Sequence, residues 1–201
     1  GQEGQLKHQN YFRAGVVGIF VGMVVMVVGV LFAHFTGLSE FDDLGREIYP
    51  AIPRGWGFVL FGQMVALGGV LLAMAGATLA FLYERKMTWA RASIGAALFT
   101  GLMVILFGVI PNEWLTLTQA VWEWTPQKIL VTIPPVLVLN NDVSISYAAV
   151  KDMIVAGYSV AVTGAVAFVM IKWQDQQKKV ASAPPPQPVS TYGRPMTKVE
   201  R

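Results

Sequence analysis

Four stretches without a formal charge constrain this chain more than any other feature. A helix needs roughly 20 mostly apolar residues to cross about 30 Å of hydrocarbon. Residues 14–35, between Arg13 and Glu40 with His34 counted neutral, meet that requirement. So do residues 55–83, 92–112 and 153–171, closed off by Arg54 and Glu84, by Arg91 and Glu113, and by Asp152 and Lys172. Only 13% of the 201 residues are charged, against about 25% in soluble domains, too few to cover four buried helices with polar surface. The reading is an all-α integral membrane protein with four transmembrane helices, at about 14–36, 57–83, 92–111 and 146–172. Residues 1–13 form an N-terminal segment, 112–145 a structured outer loop between helices 3 and 4, and 173–201 a Pro-rich tail. The first apolar run exceeds a signal peptide's 7–15 residues and leads into Ala33, His34, Phe35 and Thr36, with no small-x-small cleavage site. It is expected to stay as an anchor.

Orientation follows from Lys and Arg placement. With both termini inside, the inner segments hold 11 of the 15 basic residues and 4 of the 12 acidic ones. The outer loops hold 4 basic and 8 acidic residues. This bias predicts an N-in, C-in multi-pass protein of a cell inner (cytoplasmic) membrane. The pI of about 9.2 rests on a net charge of only +3, so it argues for no nucleic-acid partner.

Lipid supplies little hydrophobic drive between helices, so small residues that let backbones approach mark the contacts. The second span carries Gly62, Ala66, Gly69, Ala73, Gly76 and Ala80 at alternating steps of four and three, a 3.5-residue period that suits a left-handed crossing. The first carries Gly15, Gly22 and Gly29 at heptad spacing, with Gly18 beside them. The third has Ala97, Gly101 and Gly108, and the fourth Gly157, Ala161 and Gly164. These seams serve either a self-contained four-helix bundle or, in part, other polypeptides.

The first outer loop is acidic, with Glu40, Asp42, Asp43 and Glu47. It is either a solvated loop or a patch for a basic soluble partner such as a cytochrome c. The second outer loop is expected to begin with a short interfacial helix over 112–124, capped by Asn112 after Pro111. Trp114, Trp122 and Trp124 are its interface anchors, keeping the indole N–H wet and the ring in acyl chain. Residues 129–139 follow, almost wholly apolar and broken by two prolines. Too short to span and barred from regular helix, this segment must be covered, by the chain's own helices or by a neighbouring subunit. Its contact candidates are Ile129, Val131, Ile133, Pro134, Pro135 and Leu137. The tail holds Pro184, Pro185, Pro186 and Pro188, a polyproline-II composition.

No chemistry emerges from the motifs. The chain has no cysteine, which excludes disulfides, thiolate catalysis and c-type haem attachment. Its two histidines, His8 and His34, lie a membrane thickness apart and cannot share one metal or haem. His34 with Glu40 or Asp42 is the one combination suited to a quinone or proton path. No ionisable residue lies deep in a span. The deep polar groups are Gln63, Thr78, Thr100, Ser159, Thr163 and Tyr158, while Lys151 and Asp152 are expected to snorkel or pair at the outer end. No cofactor, metal or catalytic residue is assigned. The function expected is that of a non-catalytic accessory subunit of a multisubunit membrane complex, foremost a respiratory or photosynthetic electron-transfer assembly, with lipid and other subunits as partners. A small transporter or channel and a tetraspan assembly factor are the alternatives.

Overall fold

The computed structural model describes residues 2–182, without the side chains of residues 2–7, 180 and 181. Helix α1 spans Gln2–Thr36 and α2 spans Trp56–Phe81. Helix α3 runs over Trp89–Val121, strands β1 and β2 cover Ile129–Ile133 and Val143–Ser146, and α4 covers Tyr147–Ser182. Among the described residues, α1, α2, α3 and α4 are each long and apolar enough to cross a membrane. The polyproline stretch of the tail lies outside the described residues, but α4 carries helix ten residues past the expected span end at 172.

The core of the molecule is the antiparallel pair α1–α2. Gly15, Gly22, Gly29 and Thr36, seven residues apart, are the buried positions of α1 among described side chains. The three glycines face Ala80, Ala73 and Ala66 of α2, again at steps of seven, where Gly62, Gly69 and Gly76 are buried as well. A Cβ on Gly15 would stand 2.6 Å from the Ala80 nitrogen and 2.6 Å from the Gly76 oxygen. One on Gly22 would stand 2.5 Å from the Ala73 nitrogen. No real Cβ tolerates such distances, so the two backbones touch because both are bare. Aromatic pairs flank this seam edge to face: Phe12 with Phe81 at 6.1 Å, Phe32 with Phe61 at 5.8 Å, and Tyr11 with Tyr83 at 5.3 Å.

Helix α3 leans on α2 more loosely. Gly95 approaches Leu82, and Gly101 meets only the end of Met74. The expected helix end at Pro111 and the separate interfacial helix over 112–124 do not exist. Instead α3 continues for 33 residues, about 50 Å at 1.5 Å per residue. Two π turns, Ile105–Val109 and Leu117–Val121, interrupt its α pattern. The first explains the continuity. A proline ring clashes with the carbonyl four residues back and brings no N–H, and a wider turn just ahead of Pro111 relieves the clash. The Ile110 N–H bonds the Ile105 carbonyl, and Pro111 has none to give. Leu106 is thereby left without a helical donor in either register. The Tyr158 hydroxyl of α4 donates to that Leu106 carbonyl at 2.9 Å.

The expected all-α description omits a small sheet. β1 and β2 pair antiparallel, from Ile129 opposite Ser146 to Ile133 opposite Val143, with an irregularity between Ile129 and Val131. A 3₁₀ turn, Pro135–Val138, forms the tip. There Leu139 and Asn140 take positive φ of 55° and 58°.

Replacing Gly22 or Gly69 with Leu drives a side chain into the facing backbone. It is expected to cost about 1–3 kcal/mol and lower the thermal aggregation temperature of the detergent-solubilised protein. Gly108→Leu, where the structure has open space, leaves that temperature unchanged. Tyr158→Phe strands the Leu106 carbonyl and costs about 1 kcal/mol, read in the same assay.

Candidate functional site

The residues that touch nothing within this chain are the most informative about its work. On α4 between Lys151 and Val166, the half-buried or buried positions are Lys151, Val155, Tyr158, Ser159, Val162 and Val166, which form the stripe turned toward the rest of the chain. Gly157, Ala161 and Gly164 are all exposed, and at 100° per residue they lie roughly 130° around the helix from that stripe. A Cβ on Gly157 or Gly164 would meet nothing within 4 Å. Gly108 of α3 is open in the same way. The structure thus brings Gly15, Gly22, Gly29, Gly62, Ala66, Gly69, Ala73, Gly76 and Ala80 together, gives Gly101 one side-chain neighbour, and leaves Gly108, Gly157, Ala161 and Gly164 facing outward.

Gln63 adds a polar element to the outward surface. It lies seven residues into α2, about 10 Å below Trp56, and its side chain is exposed with no hydrogen bond to a described residue. Other deep polar groups are bonded locally: Thr78 to the Met74 carbonyl at 2.9 Å, Ser159 to Val155 at 2.8 Å and Thr163 to Ser159 at 2.8 Å. Tyr158 is spent on Leu106. Thr100 faces outward like Gln63.

At the end opposite the start of α1 and the end of α4, an aromatic node ties three helices. Trp122 meets Trp56 of α2 edge on at 6.4 Å and Trp114 at 5.9 Å. Trp124 lies 6.0 Å from Trp114, 5.4 Å from Trp122 and 5.4 Å from Tyr147 of α4. The Trp114 indole N–H donates to the Lys151 carbonyl at 3.4 Å. Trp56 and Tyr147 were not foreseen as members; each stands alone in the sequence beside a helix start. Lys151 does not snorkel. It is buried, with its Nζ 3.6 Å from the exposed Asp152 carboxylate.

The hairpin projects from this node, anchored where the Tyr147 N–H meets the Lys128 carbonyl at 2.9 Å. Of the two coverings open to residues 129–139, folding back onto the chain's own helices does not occur. β2 occupies one edge of β1, and the apolar faces stay open. Val136, Leu137 and Leu139 are 86%, 75% and 93% exposed, and Ile129 and Val131 are exposed as well, whereas Ile133 is half-buried. Pro134 and Pro135 open the 3₁₀ turn at the tip.

The acidic loop is partly self-consumed. Asp42 accepts hydrogen bonds from the Leu44 N–H at 2.9 Å, the Arg46 N–H at 2.8 Å and the Arg46 Nε at 2.8 Å. The Arg46 backbone bond foremost, against desolvation and with help from the Arg46 side chain and the Leu44 N–H, holds its carboxyl below the ordinary 3.8. Glu40, Asp43 and Glu47 remain exposed. Arg54, which in the sequence only borders the second apolar run, clamps the loop. Its guanidinium donates to the carbonyls of Phe35 at 2.6 Å, Leu38 at 3.2 Å and Ile48 at 2.5 Å, a fork that a lysine cannot reproduce.

His34 packs edge on to Phe35 at 5.4 Å, while Asp42 is committed to Arg46. Among the described residues no group of three or more His, Asp or Glu side chains is placed to hold a metal ion. No protein-family profile matches the chain, and no curated protein or solved structure is significantly similar to it.

The Asp42 arrangement generates a signed pH effect. A lowered carboxyl pKa contributes loop stability that is complete above pH 3.8 and lost as pH falls through the folded-state value. Limited proteolysis of the 37–54 loop is expected to accelerate below pH 3.8, and Asp42→Asn is expected to cleave fast at every pH.

Proposed function

We propose that this chain is a non-catalytic subunit of a multisubunit membrane assembly, crossing the bilayer four times and lending its open helix faces to helices of other subunits. The observation that carries this reading is the division of the small-residue seams. Those of α1 and α2 are consumed against each other, while Gly157, Ala161 and Gly164 turn away from the chain that bears them. A bare helix face gains nothing from lipid but admits a close-packed neighbour. Gln63 points the same way, because a primary amide facing hydrocarbon without a partner costs several kcal/mol and a neighbouring helix can satisfy it. The hairpin tip supplies a third contact, outside the helices.

The basic end, which collects the start of α1, the α2–α3 connection and the end of α4, faces the cytoplasm in this proposal, and the membrane is a cell inner membrane. The support is the excess of Lys and Arg there. The assembly class we propose is an electron-transfer complex, with exposed Glu40 and Asp43 turned to a basic soluble carrier. A transport role finds less support: Tyr158, Ser159 and Thr163 are bonded within the chain, and Gln63 and Thr100 lie on the outward surface rather than along a shared path.

Blue-native electrophoresis of gently solubilised membranes tests the proposal. The chain is expected in a band far above its own 21.9 kDa, with haem absorbance in that band. Gly157→Leu combined with Gly164→Leu is expected to release it without lowering its own thermal stability. Migration of the wild type as a free species in the mildest detergents overturns the subunit reading; a large band without redox cofactors overturns only the electron-transfer assignment.

A further inference from the structure

The end of the molecule that carries the start of α1, the α2–α3 connection and the end of α4 contains an open cleft of about 810 Å³. Three parts of the chain besides α1 converge on it. α1 contributes His8, the connection after α2 contributes Glu84, Arg85 and Lys86, α3 contributes Arg91, and α4 contributes Gln176 and Lys179. Among the described residues, four permanent cations and a histidine thus line it with one carboxylate. Among the described residues, no Asp or Glu forms an ion pair with Arg85, Lys86, Arg91 or Lys179. The cleft is also organised: the Arg91 guanidinium donates to the Lys86 carbonyl at 2.7 Å, and Thr88 caps the start of α3. That helix start adds the positive end of its dipole.

We propose that this cleft binds the phosphate headgroup of an acidic phospholipid. The charge selects a phosphate, and the surroundings select a lipid over a free ion. The cleft lies at the ends of helices long enough to cross a membrane. Trp89, 88% exposed, stands beside it at the level where indoles sit among headgroups. Phe12 and Phe81, exposed on the adjoining turns of α1 and α2, offer an apolar wall on which acyl chains continue from the bound headgroup. Basic pockets between helix ends on the cytoplasmic side are suited to such lipids. The inference rests on the helices spanning a bilayer, and resistance of the chain to alkaline carbonate extraction checks that premise separately.

The test uses the full chain in nanodiscs of phosphatidylcholine with a minor share of phosphatidylglycerol, followed by detergent release and native mass spectrometry of the retained lipid. The expected result is enrichment of phosphatidylglycerol over its share of the bilayer by roughly tenfold. The enrichment is lost in the triple variant R85Q/K86Q/K179Q and kept in R46Q/K128Q, which removes two cations from the other end. Retention of both lipids in bilayer proportion, or equal enrichment by the triple variant, overturns the proposal. So does displacement of the lipid by millimolar inorganic phosphate with phosphate held in its place, which makes the soluble ion the occupant.

Discussion

Two helices can lie backbone to backbone only where neither carries a Cβ at the crossing. Gly15, Gly22 and Gly29 meet that condition on α1, and Gly62, Gly69 and Gly76 on α2. Apolar side chains bury as well in lipid as in protein, so the net gain comes from atoms brought closer than any side chain permits. The seven-residue step on both helices keeps the contact in register along the whole pair, since a 3.5-residue period follows a left-handed crossing. α1 and α2 therefore form a stiff unit, and the rest of the molecule attaches to it at few points: Met74 and Leu82 toward α3, and Trp56 toward the aromatic node.

Attachment of α4 to α3 depends on a defect. Pro111 deprives α3 of one donor, the preceding π turn shifts the register, and the Leu106 carbonyl is left for Tyr158, 52 positions along the chain. An orphan acceptor is costly in hydrocarbon, so the proline does more than bend a helix. It creates the acceptor that fixes the depth and rotation of α4. With Tyr158 turned inward, the helix geometry turns Gly157, Ala161 and Gly164 outward. The open face of α4 is thus a consequence of the tie that holds it.

The two ends of the molecule differ in the same ordered way. At one end tryptophans and a tyrosine bind helix starts together and raise an apolar hairpin above them. Asp42 and Arg54 give the neighbouring loop a shape set by its own hydrogen bonds. At the other, among the described residues, cations from three segments and a histidine from a fourth gather around a cleft with one carboxylate among them. Packing dominates one end and charge the other.

Spans, seams and charge bias are written along single helices, because hydropathy and small-residue spacing are properties of local sequence read at a fixed period. Residues 14–35 or the steps from Gly62 to Ala80 need no partner to be recognised. Which seam meets which is a matter of azimuth, and azimuth is set by contacts between distant segments. For that reason the engagement of α1 with α2 and the outward turn of Gly157 and Gly164 emerged only in three dimensions. The passage of α3 through Pro111 was equally hidden. A proline is a local stop signal; the π turn ahead of it carries the helix through, and the carbonyl this leaves open is met by a hydroxyl from another helix. Arg54, the partners of Trp122 and the pairing of Ile129–Ile133 with Val143–Ser146 belong to the same class: each is a long-range contact, and no periodicity within one segment encodes the place where another segment will lie.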